Sequence, residues 1–229
     1  MSFIEFNHIS KAYKESGMVI DDLSLSIEEV EFVTILGPSG CGKTTLLKMV
    51  NQLITYDSGT ISVDGRDINQ WDTIELRRSI GYVIQQVGLL PHMTIENNIN
   101  YVLNIAEPSN KLKLFSKDKL LGEKVKRARA EELVKMVGLS KDYLGQYPRQ
   151  LSGGQKQRVG VARALAADPK IILMDEPFGA VDEIARTALQ DELIELHKKL
   201  KKTILFVTHD IQEAIKLGTT IILLKNGKI

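Results

Sequence analysis

A single cysteine, Cys41, stands among 229 residues. No intrachain disulfide is available, so a reducing interior suits the chain and a disulfide-stapled secreted fold does not. An excess of either charge is missing too: 30 Lys and Arg against 29 Asp and Glu leave a formal net charge of +1. A dedicated nucleic-acid binder normally carries a strong basic excess to neutralise phosphates, and near-neutral charge argues against that class. Uncharged stretches as long as Ser79 to Ile95 contain Gln85, Gln86, Pro91 and His92, so none makes a spanning helix of about 20 apolar residues. Met1 to Ile9 lacks a basic start followed by an apolar stretch; it is expected to form a strand, and no export signal is implied. Internal repeats and low-complexity tracts are absent. What is present is 43% hydrophobic residues, enough for a sizeable core at this length.

Short apolar runs rich in β-branched residues alternate with segments of helical period. Phe32 to Leu36 is followed by Thr44 to Leu53, Ile171 to Met174 by Glu183 to Leu200, and Ile204 to Val207 by Ile211 to Leu217. This alternation predicts an α/β fold, a parallel sheet covered by helices on both faces. A last strand, Thr220 to Leu224, ends at the turn Asn226-Gly227. Phe3 to Ile9, Leu23 to Ile27 and Thr60 to Val63 have no helix between them, which predicts a small antiparallel sheet beside the main one. From about Thr94 to Tyr147 only helical pattern appears, such as Glu123 to Val137 closed by Gly138, and this reads as an inserted helical subdomain. Within it Lys111 to Arg129 holds eight basic residues against two acidic ones, read as a solvated helix face in preference to one turned to anionic lipid headgroups.

Gly37-Pro38-Ser39-Gly40-Cys41-Gly42-Lys43-Thr44 follows the first of these strands and opens a helix, the context that a G-x-x-x-x-G-K-[ST] phosphate loop requires. Glycines at 37, 40 and 42 let backbone N–H groups curl around an anion, and the helix N-terminus adds partial positive charge there. Lys43 is expected to neutralise β and γ phosphates, and the Thr44 hydroxyl to take one Mg²⁺ position. Cys41 has no evident partner base and is read as a small filler. The run Ile171 to Met174 ends in Asp175-Glu176-Pro177, and in an open α/β sheet ligands bind just past the carboxyl ends of strands. Asp175 suits the Mg²⁺ shell, and Glu176, one residue further, suits polarising an attacking water. His209 follows Ile204 to Thr208 and is expected at the same sheet edge, as a γ-phosphate contact.

Leu151-Ser152-Gly153-Gly154-Gln155 precedes a helical segment, Lys156 to Ala166. Five such residues arise by chance in roughly a few in ten thousand chains of average composition. Together with the phosphate loop, the acid pair and His209, in this order, the segment resembles the ATP-binding cassette ATPases over essentially the whole chain. The resemblance implies a P-loop NTPase (RecA-like) core lobe from residues 1–84 and 156–229, with 85–155 as the helical subdomain. It implies that Tyr13 stacks on adenine, that Gly37 to Thr45 is the phosphate loop, and that Gln85 reaches Mg²⁺ and the water while linking to the helical subdomain. It implies further that Ser152, Gly153, Gly154 and Gln155 close over the γ-phosphate of ATP held by a second copy of the subunit. Gly179-Ala180-Val181-Asp182 matches the loop that crosses that dimer interface, and His209 the switch histidine. ATP would then act as the glue of a head-to-tail pair.

A finer likeness lies in Arg77 to Ile95, where Ile84-Gln85-Gln86 and Gly88-Leu89-Leu90-Pro91-His92-Met93 resemble importers of glycine betaine, carnitine and choline, a pattern largely shared with the alternative branches that import amino acids, sugars or other polar solutes. The implied partners are an integral membrane permease and, indirectly, an extracellular solute-binding protein. The implied place is the cytoplasmic face of a bacterial membrane, with no nucleic acid involved. Val87, Leu89, Leu90 and Met93 have two readings, a seat for a permease helix or core packing of the helical subdomain. Val30 stands where such cassettes usually place a turn glycine, so a different turn type is expected at Glu28 to Glu31. That branch commonly continues into paired regulatory CBS modules; none lies in these residues, which read as one catalytic cassette. Cassette ATPases acting on DNA or ribosomes need a long inserted coiled coil or a second cassette, whereas Leu151 lies only 107 positions beyond Thr44. A nucleotide kinase or GTPase-like switch has no use for Leu151 to Gln155.

Overall fold

Strands that carry apolar residues on both faces need cover on both sides, and that requirement sets the architecture. The computed structural model describes residues 2–229 other than 16, 86, 107–115 and 180, with only the backbone of 106 and 116–121. Lys111, Lys113, Gln86 and Ala180, and the side chains of Lys117 and Lys119, therefore lie outside the described residues. The strands are β1 (Ser2–Tyr13), β2 (Gly17–Glu28), β3 (Phe32–Leu36), β4 (Ser58–Val63), β5 (Arg66–Asp67), β6 (Ile80–Val83), β7 (Ile171–Asp175), β8 (Thr203–Thr208) and β9 (Thr220–Leu223). The helices are α1 (Lys43–Val50), α2 (Thr73–Ser79), α3 (Ile95–Ile99), α4 (Tyr101–Ala106), α5 (Ser116–Met136), α6 (Gly153–Leu165), α7 (Glu183–Leu200) and α8 (Ile211–Leu217).

Two sheets form, as the patterning predicts. One is four-stranded in the order β2-β1-β4-β5 with antiparallel pairings, and the other is five-stranded in the order β6-β7-β8-β3-β9 with parallel pairings throughout. Successive residues on each buried strand enter different cores. Val33, Ile35, Leu173, Leu205 and Val207 join α1 and the antiparallel sheet, whereas Phe32, Ile172, Met174, Ile204 and Phe206 join α3, α5, α6, α7 and α8. Thr34, fully buried in an otherwise apolar strand, donates from Oγ1 to the carbonyls of Ala214 and Thr220, both at 3.3 Å, so its hydroxyl is satisfied.

Boundaries shift where caps and bulges intervene. The helix expected over Thr44 to Leu53 ends at Val50, because Gln52 takes φ 54° and the amides of Leu53 and Ile54 both return to the Lys48 carbonyl. The helix expected from Lys156 starts at Gly153, because Ser152 and Gln155 cap it reciprocally. β1 and β2 are longer than their alternation suggests: His8 and Asp22 both adopt φ 52° and shift the register, which breaks the period of two. The expected change of turn type at Glu28 to Glu31 does not occur. Val30 itself takes φ 65°, its amide donating to Thr203 Oγ1 at 2.9 Å and its carbonyl lying 3.0 Å from His197 Nε2.

A β-branched residue in left-handed backbone costs about 1–2 kcal/mol, against which the extra unfolded-state freedom of glycine sets about 0.5–1 kcal/mol. Val30→Gly is therefore expected to stabilise the fold by about 0.5–1 kcal/mol, and Val30→Ala to give no such gain. Urea unfolding midpoints of the two variants check this; a lower midpoint for Val30→Gly removes the strain argument.

Candidate functional site

Because β3, β6, β7 and β8 are parallel neighbours, the residues that follow each of them emerge at one edge of the sheet. β3 delivers the phosphate loop, β7 delivers Asp175 and Glu176, β8 delivers His209, and β6 leads to Gln85. Two glycines of the loop are demanded by packing. A Cβ on Gly37 would stand 2.2 Å from the Leu224 carbonyl, and one on Gly42 would stand 2.6 Å from Ile20 Cδ1 at a φ of 108°. Gly40, at φ 79° with open space around it, is needed for its backbone alone. Cys41 is buried, its Sγ within 2.7 Å of the Cβ position at Gly37, and it fills the loop from inside. Pro38 accepts from the Cys41 amide at 3.4 Å, while Ser39 is exposed. Lys43 is 4% exposed, and its ammonium donates to the carbonyls of Gly37 at 2.6 Å and Pro38 at 2.9 Å. These charge-assisted bonds offset the cost of burying it.

Two clusters of expected site residues meet at hydrogen-bonding distance. Thr44 Oγ1 donates to Asp175 Oδ1 at 2.7 Å, joining the first turn of α1 to the end of β7. Glu176 Oε2 accepts from Gln85 Nε2 at 3.2 Å and lies 3.2 Å from His209 Nδ1. Glu176 also adopts φ 44°, a sparsely populated conformation of the kind that gathers at functional sites, and its amide is held by the Val207 carbonyl. Beside it a cleft of about 50 Å³ opens between Gly179, Arg186, His209 and Asp210, room for a few water molecules. Tyr13 ends β1, and its hydroxyl lies 3.4 Å from Thr45 Oγ1.

The remaining candidates lie apart from these clusters in their bonding. Ser152 Oγ accepts from the Gln155 amide at 3.3 Å, Gln155 Oε1 accepts from the Ser152 amide at 2.9 Å, and Gln155 Nε2 donates to Tyr143. Gly153 and Gly154 form the first turn of α6. Among the described residues no hydrogen bond joins Ser152 to Gln155 with the phosphate loop, Asp175, Glu176 or His209. Asp182 caps α7 by accepting from the Ala185 amide.

Burial pushes the Asp175 carboxyl above its ordinary value, assisted by the Glu176 charge and opposed by the Thr44 hydrogen bond and the Lys48 charge. Beside it Tyr82, whose hydroxyl lies 3.4 Å from Asp175 Oδ2, is also held well above the usual phenol range, by burial first and the Asp175 charge second. The sequence reading passed over Tyr82, and also two residues that hold the segment carrying Gln85. Asn98, fully buried, donates to the carbonyls of Leu90, Met93 and Thr94 and accepts from the Leu90 amide. Arg163 donates to the carbonyls of Val87 and Gly88 at 2.8 and 2.7 Å. A polar residue between Ile95 and Ile99 was the available signal for Asn98. Nothing in the pattern marked Arg163. Of the four apolar residues with two readings, Leu89 packs against the core that contains α6, and Val87 Cγ1 lies 3.0 Å from the Cβ position at Gly160.

A family model for ABC transporters matches residues 20–179. The chain belongs to the ABC transporter family. The carnitine transport ATP-binding protein OpuCA of Listeria monocytogenes is 51% identical over 99% of this chain and 54% of its own. The glycine betaine/carnitine/choline transport ATP-binding protein OpuCA of Bacillus subtilis is 50% identical over 99% and 56%. The ABC transporter chain thus spans about half the length of these curated relatives. Among solved structures, the dimeric post-hydrolysis state of the ATP-binding cassette MJ0796 bound to ADP and Pi superposes with a TM-score of 0.82 at 36% identity, covering 99% of this chain and 96% of that one. The P-loop cassette fold expected from the motifs is therefore the fold of this family member.

The raised Asp175 value has a thermodynamic consequence. The folded chain binds this proton more tightly than the unfolded chain, so the group's contribution is favourable below the ordinary carboxylate value and is lost as pH rises through the folded one. At neutral pH in nucleotide-free, metal-free buffer, Asp175→Asn is expected to melt above the parent, the difference shrinking toward pH 4. Melting curves of both proteins from pH 4 to 8 test this; a difference independent of pH rules the titration out.

Proposed function

We propose that this chain is the ATP-hydrolysing subunit of a bacterial importer for a small quaternary amine osmoprotectant of the glycine betaine, carnitine and choline class. The observation that carries the reading is the meeting of Gln85 and His209 on one carboxylate oxygen of Glu176, beside the Thr44–Asp175 bond. The names of the relatives support the substrate class.

Lys43 releases the Gly37 and Pro38 carbonyls to meet β and γ phosphate oxygens, and the amides of Ser39 to Thr45 enclose the triphosphate at the positive end of α1. Thr44 and Asp175 hold Mg²⁺, with Gln85 reaching toward it. An all-oxygen set suits this hard cation, and a carboxyl raised by burial gains most from a positive charge. When bound, the ion neutralises charge that develops on the phosphate oxygens. Glu176 orients the attacking water, its carboxylate aimed by Gln85 and His209. Tyr13 stacks on the adenine. Ser152, Gly153, Gly154 and Gln155 donate to the γ-phosphate held by a second copy, with Asp182 at the interface of the pair, which explains why they form no bond to the phosphate loop of their own chain.

ATP bound between two copies stabilises the pair, and hydrolysis releases it. Integral permease subunits convert that cycle into transport, a solute-binding protein delivers the amine, and the subunit works peripherally at the cytoplasmic face of the membrane.

Glu176→Gln is expected to keep ATP affinity within about threefold, to lower turnover by at least about 100-fold, and to accumulate a dimer with Mg-ATP. Size-exclusion chromatography that finds only monomer, together with retained turnover, would overturn both the role of Glu176 and the shared site. Lys43→Ala removes charge-assisted bonds worth about 1.5–3 kcal/mol and is expected to weaken ATP binding about 10- to 100-fold. Unchanged affinity by calorimetry refutes that assignment.

A further inference from the structure

Asp57 stands between the phosphate-loop helix and the strand that carries Tyr13. It immediately precedes β4, a few residues after α1, and it grips three consecutive residues of β1. Its amide donates to the Ser10 carbonyl at 2.9 Å, its Oδ1 accepts from Lys11 Nζ at 2.7 Å, and its Oδ2 accepts from the Ala12 amide at 2.7 Å. The next residue is Tyr13. Lys11 is held with its ammonium 5.5 Å from the centroid of the Tyr13 ring, and its side chain is only 11% exposed. At the far end of the ring the hydroxyl lies 3.4 Å from Thr45 Oγ1, in the first turn of α1. The ring is thereby restrained at its backbone, beside the Lys11 ammonium and at its tip. The Lys11 hydrogen bond first, and the Ala12 amide second, keep the Asp57 carboxyl below the ordinary carboxylate range, so the clamp is charged at neutral pH.

The geometry points to Asp57 and Lys11 as positioning residues for base recognition: they pre-set the Tyr13 ring over the phosphate loop so that the adenine of ATP meets an ordered stacking surface. This rests on the reading above that Tyr13 stacks on adenine. A tyrosine that must be ordered on binding costs about 0.5–1.5 kcal/mol per immobilised side chain, and a ring already ordered avoids that cost. Among the described residues the hydrogen bonds of Asp57 and Lys11 tie them to each other and to β1, and none goes to the phosphate loop, so their contribution belongs to the base.

Calorimetry on the whole 229-residue chain separates the two parts of the nucleotide, with Mg-ATP and inorganic tripolyphosphate as probes. Asp57→Ala and Lys11→Met are each expected to weaken ATP about 3- to 10-fold and tripolyphosphate less than about twofold, and Lys11→Arg to bind ATP nearly as the parent does. If Asp57→Ala does not fold, Lys11→Met carries the test alone. Equal weakening of both probes means a merely structural role and overturns the proposal, as does unchanged ATP binding in a folded variant. Tyr13→Ala distinguishes the underlying reading. Loss of ATP affinity there, with none in the clamp variants, sinks the clamp and leaves the stacking intact. If Tyr13→Ala weakens ATP no more than it weakens tripolyphosphate, the stacking surface itself is wrong and the clamp has no base to serve.

Discussion

The parallel pairing of β6, β7, β8 and β3 is the constraint on which the rest of the molecule depends. Hydrogen bonding between parallel neighbours places their carboxyl ends at one edge, and each end is followed immediately by a residue with chemistry to perform. Lys43 and Thr44 come from the first turn of α1, which the phosphate loop joins to β3, Asp175 and Glu176 from β7 and the position after it, His209 from the turn after β8, and Gln85 from the segment after β6. A reversed strand would carry its residue to the far side of the sheet, about 17 Å away for five residues. The Thr44–Asp175 bond and the two contacts on Glu176 follow from this one arrangement.

Burial then sets the electrostatics. Asp175 is 5% exposed and Lys43 is 4% exposed, so each charge must be met by a partner. The carbonyls of Gly37 and Pro38 meet Lys43, whereas among the described residues the donors to Asp175 are the hydroxyls of Thr44 and Tyr82, and its carboxyl is pushed toward its neutral form. A site of this kind is built for a ligand with complementary charge: anionic phosphate at Lys43, a hard cation at Asp175.

The helical part is tied to this edge by polar bonds as well as by a shared core. Residues of α3, α5 and α6 pack with the second face of the parallel sheet, and Arg163 of α6 holds the carbonyls two and three positions beyond Gln85. Asn98 of α3 holds the other end of the same segment. The segment that follows Gln85 is therefore tied to the helix whose first turn carries Gly153 and Gly154.

Local pattern was legible wherever neighbours in sequence decide the conformation. The apolar runs 32–36, 171–174 and 204–207, the glycine-lysine turn after β3, and the helices 183–200 and 211–217 follow from spacing alone and stand where that spacing puts them. Boundaries failed where a single left-handed residue or a cap intervened, as at Gln52, His8, Asp22 and Ser152, because period says nothing of one residue's φ. The four-residue β6 has no period of its own within an uncharged stretch, and it becomes a strand by pairing with β7. Which residue types follow each buried run is written in the order of amino acids, and that order points to Lys43, Thr44, Asp175, Glu176 and His209. Folding alone brings Gln85 and His209 to one oxygen of Glu176, sets Asn98 and Arg163 on the Gln85 segment, and closes Asp57 on the strand of Tyr13. Those contacts join residues brought together by sheet order and packing, and no local pattern encodes which distant partner a side chain will meet.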